Sequence, residues 1–186
     1  MTLSIPVQRA GRILCDGGVV AYPTETVFGL GCRADDVDAV LRVLDIKQRR
    51  PEMGLVLLAA DRAQLDDWIE LPPDAPSLSS RAGQPVTWIV PARAGVPHLI
   101  RGNHSGLAVR LTTHPVAAAL CRLAGAPLVS TSANISGRPT ARNVHVLRRT
   151  FGDLVDCIVP GFCGPAGGPS EIRDLASGKV LRPAIK

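Results

Sequence analysis

Four polar segments, far apart in the chain, carry the residue types best suited to chemistry. The first is Tyr22-Pro23-Thr24-Glu25-Thr26-Val27-Phe28-Gly29-Leu30-Gly31, which offers threonine hydroxyls, one carboxylate and a glycine-flexed backbone after the apolar run Val19 to Tyr22. The second is Lys47-Gln48-Arg49-Arg50-Pro51. If it is extended, alternation puts Lys47 and Arg49 on one face and Arg50 on the other. Two cations on one face suit a polyphosphate: arginine supplies planar bidentate contacts and lysine a point charge. The third is Ser130-Thr131-Ser132-Ala133-Asn134-Ile135-Ser136-Gly137, directly after an apolar run, with Arg110 at the end of another. Hydroxyls and an amide at a sheet edge can orient a carboxylate, a ribose or a base. The fourth is Pro169-Ser170-Glu171-Ile172-Arg173-Asp174, followed by Arg182 in Leu181-Arg182-Pro183.

Taken singly, each segment also reads as ordinary structure. Loop hydroxyls commonly bond to nearby backbone, and cations collect at helix C-termini. Arg110 can form a salt bridge, and Glu171 can pair with Arg173 on the surface. The chain has no G-x-x-x-x-G-K-[ST] loop, no G-x-G-x-x-G fingerprint and no G-x-S-x-G elbow, so any nucleotide site is built differently.

The elements that would position these segments alternate between short strands and helices. Val7, Ala10 and Leu14 recur at helical spacing, and Gly17-Gly18 stops that helix. Asp35 or Asp36 can cap a second helix with Val37, Val40, Leu41 and Leu44 as its stripe, ending near Lys47 because Pro51 disfavours helical geometry before it. Gly54 to Ala60 reads as a strand, Ala63 to Ile69 and Ala75 to Arg81 as weaker helices, and Val86 to Val90 as a strand. Leu107 to Leu111, a helix capped by Thr112 or Thr113 with Pro115 in its first turn, and Leu128 to Thr131 predict a βαβ unit with parallel strands. A helix over Asn143 to Phe151 and strands near Val155 to Val159, Glu171 to Asp174 and Val180 to Arg182 complete the chain. Pro160 to Pro169 is predicted to be a surface loop.

Composition bounds the function. The 186 residues suit one domain over 1–186 with a sizeable core. No apolar run approaches the ~20 residues that span a bilayer, and the N-terminus lacks a secretory core, so the expected compartment is the cytoplasm with no membrane partner. Cys15, Cys32, Cys121, Cys157 and Cys163 are scattered and lack metal-ligand spacing, which predicts buried, reduced thiols and no protein-bound metal. The net charge of +5 suits phosphates, acidic small molecules or RNA, yet no local basic block marks a nucleic-acid arm. Aromatics make up 3% of residues, too few for base stacking across a sheet.

Together the segments resemble the YrdC/TsaC family, the bacterial threonylcarbamoyl-AMP synthases. The family's Y-P-T-E-T-x-[YF]-G-L-G matches Tyr22 to Gly31, and its K-x-R matches Lys47 and Arg49. A-V-R-x-x-x-H-P matches Ala108 to Pro115, S-T-S-A-N-x-S-G matches Ser130 to Gly137, and P-S-x-I matches Pro169 to Ile172. Five motifs in order, across about Arg9 to Pro183, are far more specific than any one.

The resemblance implies an α/β fold, a twisted mixed β-sheet flanked by helices around a deep concave cavity. It implies condensation of L-threonine, bicarbonate and ATP to threonylcarbamoyl-adenylate and pyrophosphate. Partner proteins would then pass the threonylcarbamoyl group to tRNAs that read codons starting with A. Carried over by motif, Lys47 and Arg49 hold the ATP phosphates as the catalytic cations. Thr24, Ser132 and Ser170 orient threonine. Asn134, Arg142 and Arg182 contact the nucleotide, and Arg110 lines the cavity beside it. Mg2+ would come with ATP, without a protein cage. The chain departs from the family pattern at Arg81-Ala82-Gly83-Gln84-Pro85 and at Phe28, where tyrosine is commoner. It resembles the short, single-domain family form. A rival from another class is a module that binds tRNA or rRNA weakly in the basic cavity without catalysis. A hydrogenase-maturation domain is disfavoured because the acylphosphatase-like unit and the C-x-x-C fingers are missing from this sequence.

Overall fold

The computed structural model describes residues 3–72, 74–80, 84–141, 143–165 and 168–184. Its strands are β1 (Val20–Pro23), β2 (Phe28–Arg33), β3 (Val56–Ala59), β4 (Val86–Pro91), β5 (Gly106–Leu111), β6 (Leu128–Ser132), β7 (Cys157–Ile158), β8 (Glu171–Asp174) and β9 (Val180–Arg182). The helices are α1 (Ile5–Cys15), α2 (Val37–Lys47), α3 (His98–Arg101), α4 (Pro115–Ala124) and α5 (Val144–Phe151). Among the described residues the nine strands form one mixed sheet in the order β7-β1-β2-β6-β3-β5-β4-β8-β9. No helix of these residues is long and apolar enough to cross a membrane.

Alternation along the strands sorts the core into two layers. On one face α1 and α4 bury Val7, Leu14, Leu120 and Cys121 against Val20, Tyr22, Leu58 and Leu128. On the other, α2 and α5 bury Val40, Val43, Leu147 and Phe151 against Ala21, Leu30, Leu57, Val109 and Val129. The first pair of helices lies mainly against β1, β2, β3 and β7. The rest of that face is left for a cavity.

Two helices match their sequence signals closely. In α1, Val7, Ala10 and Leu14 are buried, and Gly17 leaves the helix with φ 80°. In α5, Asn143 caps by accepting from Val146 N at 3.0 Å. Asp36 caps α2, accepting from Ala39 N at 2.9 Å, but the helix is rotated from the expected stripe. Val37 and Leu41 are 51% and 42% exposed, while Ala39, Val40, Val43, Leu44 and Lys47 are buried. The buried face is chosen by the sheet that receives it, and this phase carries Lys47 inward.

Other expectations are corrected. Residues 75–80 form no helix, and Leu78 alone of them is buried, so no apolar stripe docks to hold one. Only a 3-10 turn, Arg62–Leu65, forms in the stretch Ala63 to Ile69. The strands expected at Gly54 to Ala60 and Val155 to Val159 shorten to β3 and β7. The strands flanking α4 are not a parallel pair. β3 lies between them, parallel to β5 and antiparallel to β6. Leu58 stands opposite both Arg110, late in β5, and Leu128, the first residue of β6. Thus α4 starts and ends near the same sheet edge. Its ten residues span about 15 Å, enough to pass sideways over one intervening strand. Strand–helix–strand patterning sets the element types, and an earlier strand took the slot between them.

Candidate active site

The β1–β2 hairpin builds one wall of a cavity of about 170 Å³. Its floor comes from β2, β6 and the strands beyond. Gly29 pairs with Ser132 and Gly31 with Ser130. The Tyr22 ring lies over both glycines. A Cβ on Gly31 would come 2.8 Å from Tyr22 Oη, and one on Gly29 would sit 3.3 Å from Ser130 Oγ. Any side chain there would displace the ring or fill the hollow, which is why the glycines suit this strand.

Thr24, Arg49, Arg110, Ser132, Ser170 and Arg182 all line this cavity, with Thr26, Thr87, Ser130 and Thr131 beside them. Six residues inferred from four distant segments therefore meet at one place. Seven hydroxyls and three guanidinium groups face it, and no carboxylate lines it among the described residues. Among the described residues none of the three arginines makes an ion pair there. Such a donor set binds anions.

Arg110 is 8% exposed, and its Nε has no hydrogen-bond partner among the described residues. Burial pulls its pKa down, while the charge of Glu25 works the other way. Burial lowers Arg49 and Arg182 as well, and Arg110 adds to the effect on Arg182. Arg49 is braced from behind by Gly54 O at 2.9 Å, and Arg182 by Ser170 O at 2.9 Å. Thr87 and Ser170 share a hydrogen bond of 2.8 Å between their hydroxyls. Two of the three cations, Arg49 and Arg182, are thus held by carbonyls, and Arg110 feels the Glu25 charge without a hydrogen bond to it among the described residues.

Glu25 stands behind the wall rather than on it. Its Oε1 accepts from Thr112 Oγ1 at 2.6 Å, Thr113 N at 2.7 Å and His114 N at 3.1 Å. The expected Thr112 or Thr113 cap is thus replaced: His114 is the N-cap, with no side-chain cap of its own. A carboxylate from the β1–β2 loop satisfies the amides ahead of α4, where negative charge is favoured. Burial would raise the Glu25 pKa, but the Thr112 hydroxyl, the Arg110 charge and the backbone amides outweigh it and hold it below its ordinary value. The segment 160–164 seals this corner without regular structure. Gly164 N donates to Thr24 O at 2.9 Å, and His114 Nε2 lies 3.1 Å from Phe162 O.

Lys47 and Asn134 are brought to the same region but do not line the cavity. Residues 47–51 are not extended: Lys47 ends α2 and Gln48 is left-handed at φ 51°. The Lys47 ammonium turns into the protein toward Ser132 and Asn134. Arg142 lies outside the described residues, as do positions 81–83 of the divergent turn. Glu171 and Arg173 pair with each other. Sequence reasoning passed over Thr87, whose only signal was one hydroxyl within the apolar run Val86-Thr87-Trp88. It also assigned no role to Glu25, because nothing local indicates that a loop carboxylate caps a helix 88 residues away.

A second, more open hollow of about 1010 Å³ adjoins the first and shares Thr26, Val27, Phe28 and Pro169 with it. Asn143, His145 and Arg148 of the α5 region and the segment from Pro160 to Gly164 contribute to its lining. No cluster of three or more His, Cys, Asp or Glu fit to hold a metal occurs among the described residues.

The Sua5/YciO/YrdC family model, described as telomere recombination, matches residues 12–184. A threonylcarbamoyl-AMP synthase from Cellvibrio japonicus is 46% identical over 185 residues, 98% of each chain. Another, from Nitrosococcus oceani, is 49% identical over 179 residues, 95% of this chain and 96% of that one. Among solved structures, P. abyssi Sua5 complexed with L-threonine is 31% identical with a TM-score of 0.83 over 95% of this chain, which spans only 53% of that protein. Nearly full-length identity to these relatives and a shared sheet agree with the converging motifs, and the chain belongs to the Sua5/YciO/YrdC family.

Proposed function

We infer that the cavity condenses L-threonine, bicarbonate and ATP into threonylcarbamoyl-adenylate and pyrophosphate. The observation that carries this reading is the meeting of Arg49, Arg110 and Arg182 with seven hydroxyls in one acid-free cavity. The full-length relatives named for this product support it. An RNA-binding module without catalysis gains no comparable support.

Size divides the roles. About 170 Å³ suits an amino acid rather than a nucleotide, so the adenosine end would extend into the adjoining hollow. Arg110, the most buried of the three cavity arginines, meets the threonine carboxylate, while Thr24, Ser132 and the Thr87–Ser170 hydroxyl pair orient its polar groups. Arg49 and Arg182 face the phosphates, with Asn134 behind the wall. Threonine gives its ammonium proton to solvent, the neutral amine adds to the bicarbonate carbon, and one of the amine's two remaining protons leaves with a hydroxyl as water. A carboxylate oxygen of the resulting carbamate attacks the α-phosphorus, and the bond to pyrophosphate breaks. Charge spreads over the phosphoryl oxygens, so fixed cations and alignment do most of the work and no dedicated acid or base is needed. With no carboxylate on the cavity wall, Mg2+ would enter as the counter-ion of ATP. The product is a labile mixed anhydride. Its threonylcarbamoyl group would pass, through partner proteins in the cytoplasm, to tRNA.

Pyrophosphate release from ATP, followed with threonine or bicarbonate omitted in turn, tests the reading. Release should need both. Release indifferent to either omission would point to another acceptor and overturn it.

A further inference from the structure

The Lys47 side chain is 2% exposed, and no acid pairs with it among the described residues. Its Nζ donates to Ser132 O, to Asn134 O at 2.7 Å and to Asn134 Oδ1 at 3.2 Å. An ammonium has three protons to give and no acceptor. All three are therefore committed to oxygens of one turn. The backbone joins in, since Lys47 O accepts from Ser136 N at 3.0 Å.

The turn is assembled around that charge. Ser132 Oγ donates to Asn134 Oδ1 at 2.6 Å, so this oxygen also receives Ser132. The Asn134 amide donates to Ile135 O at 3.0 Å and Arg138 O at 2.8 Å. Two carbonyls and an amide oxygen crowded together repel one another unless a cation sits between them. Lys47 supplies it. Ser132, which lines the cavity, is the part of this assembly that substrate meets. The left-handed Gln48 separates the two cations of the motif, so Arg49 faces the ligand and Lys47 faces the protein.

We propose that Lys47 is a positioning residue that shapes the Ser132–Asn134 turn, and that it makes no contact with the ATP phosphates. The proposal rests on the ATP-dependent reading above and refines it by dividing the paired cations between turn and phosphate.

Equilibrium binding of ATP and of AMP separates the two roles, since AMP lacks the β- and γ-phosphates. For Lys47→Met the affinities for ATP and AMP should fall by the same factor, within about 3-fold, because a misplaced turn harms both ligands alike. Arg49→Ala should instead weaken ATP at least ~10-fold more than AMP, about 1.4 kcal/mol. Asn134→Ala, which keeps the lysine, should reproduce the Lys47→Met pattern, and the double variant should lose no more than the worse single one. Lys47→Met that weakens ATP selectively and leaves AMP unchanged would overturn the proposal. So would Asn134→Ala with normal affinity for both ligands, a result available even if Lys47→Met does not fold. Unaltered protein that binds neither nucleotide would overturn the proposed function itself.

Discussion

A guanidinium held at the foot of a cavity with no acid hydrogen-bonded to it is costly to desolvate. Arg110 is such a group, nearly buried and with Nε unpartnered. Under the proposed function this group serves ligand binding rather than packing. Arg110→Met should raise the KM for threonine at least ~10-fold, about 1.4 kcal/mol, while the melting temperature stays within about 3 °C, the equivalent of ~1 kcal/mol. Steady-state kinetics beside calorimetry would check both, and a collapse of the melting temperature would show that the arginine supports the core instead. The type of this residue was legible from its motif, but its depth was not. The same holds for the lysine of the second segment. Lys47 and Arg49 read as equivalent cations on one face, and only a helix end followed by a left-handed residue sets them apart.

Among the elements, α4 depends most on a distant residue. Pro115 occupies its first turn and His114 provides no side-chain cap, so Glu25 takes over the free amides. Glu25→Gln keeps an acceptor but loses the charge, and should cost about 1–3 kcal/mol near neutral pH. The sign with pH follows from the depressed folded pKa. The carboxylate contributes fully above its ordinary, unfolded pKa and loses the contribution as pH falls through the lower folded value. Urea unfolding should therefore show the gap between the natural protein and Glu25→Gln narrowing in acid. A gap that widens there would contradict the assignment. Gly164 makes a related demand, because a Cβ there would strike the Glu25 carbonyl. Gly164→Ala should cost about 1–3 kcal/mol through overpacking and speed proteolysis within 160–164. Thermal melts and limited digestion would show it. The sequence signalled α1 and α5 because period and caps are local, whereas the phase of α2 was set by the sheet on which it docks.

At the scale of the molecule, a net charge of +5 and a cavity lined by three arginines create a field that draws in polyanions. Raising salt from about 0.05 to about 0.5 M should lower kcat/KM for ATP several-fold, as the Debye length shrinks to a few ångströms. Threonine carries no net charge, so its KM should change less. Equal changes for both substrates would argue against steering. The amino-acid sequence by itself determined the chemistry on offer, the alternating elements, most of their bounds and the five motifs, since residue type, period and capping act over a few neighbours. Tertiary structure decided strand order and direction, the cap of α4 and the inward turn of Lys47. Each of these rests on contacts between residues far apart in the chain, as when Leu58 stands between Arg110 and Leu128, and no local pattern encodes which distant strand will fill a gap.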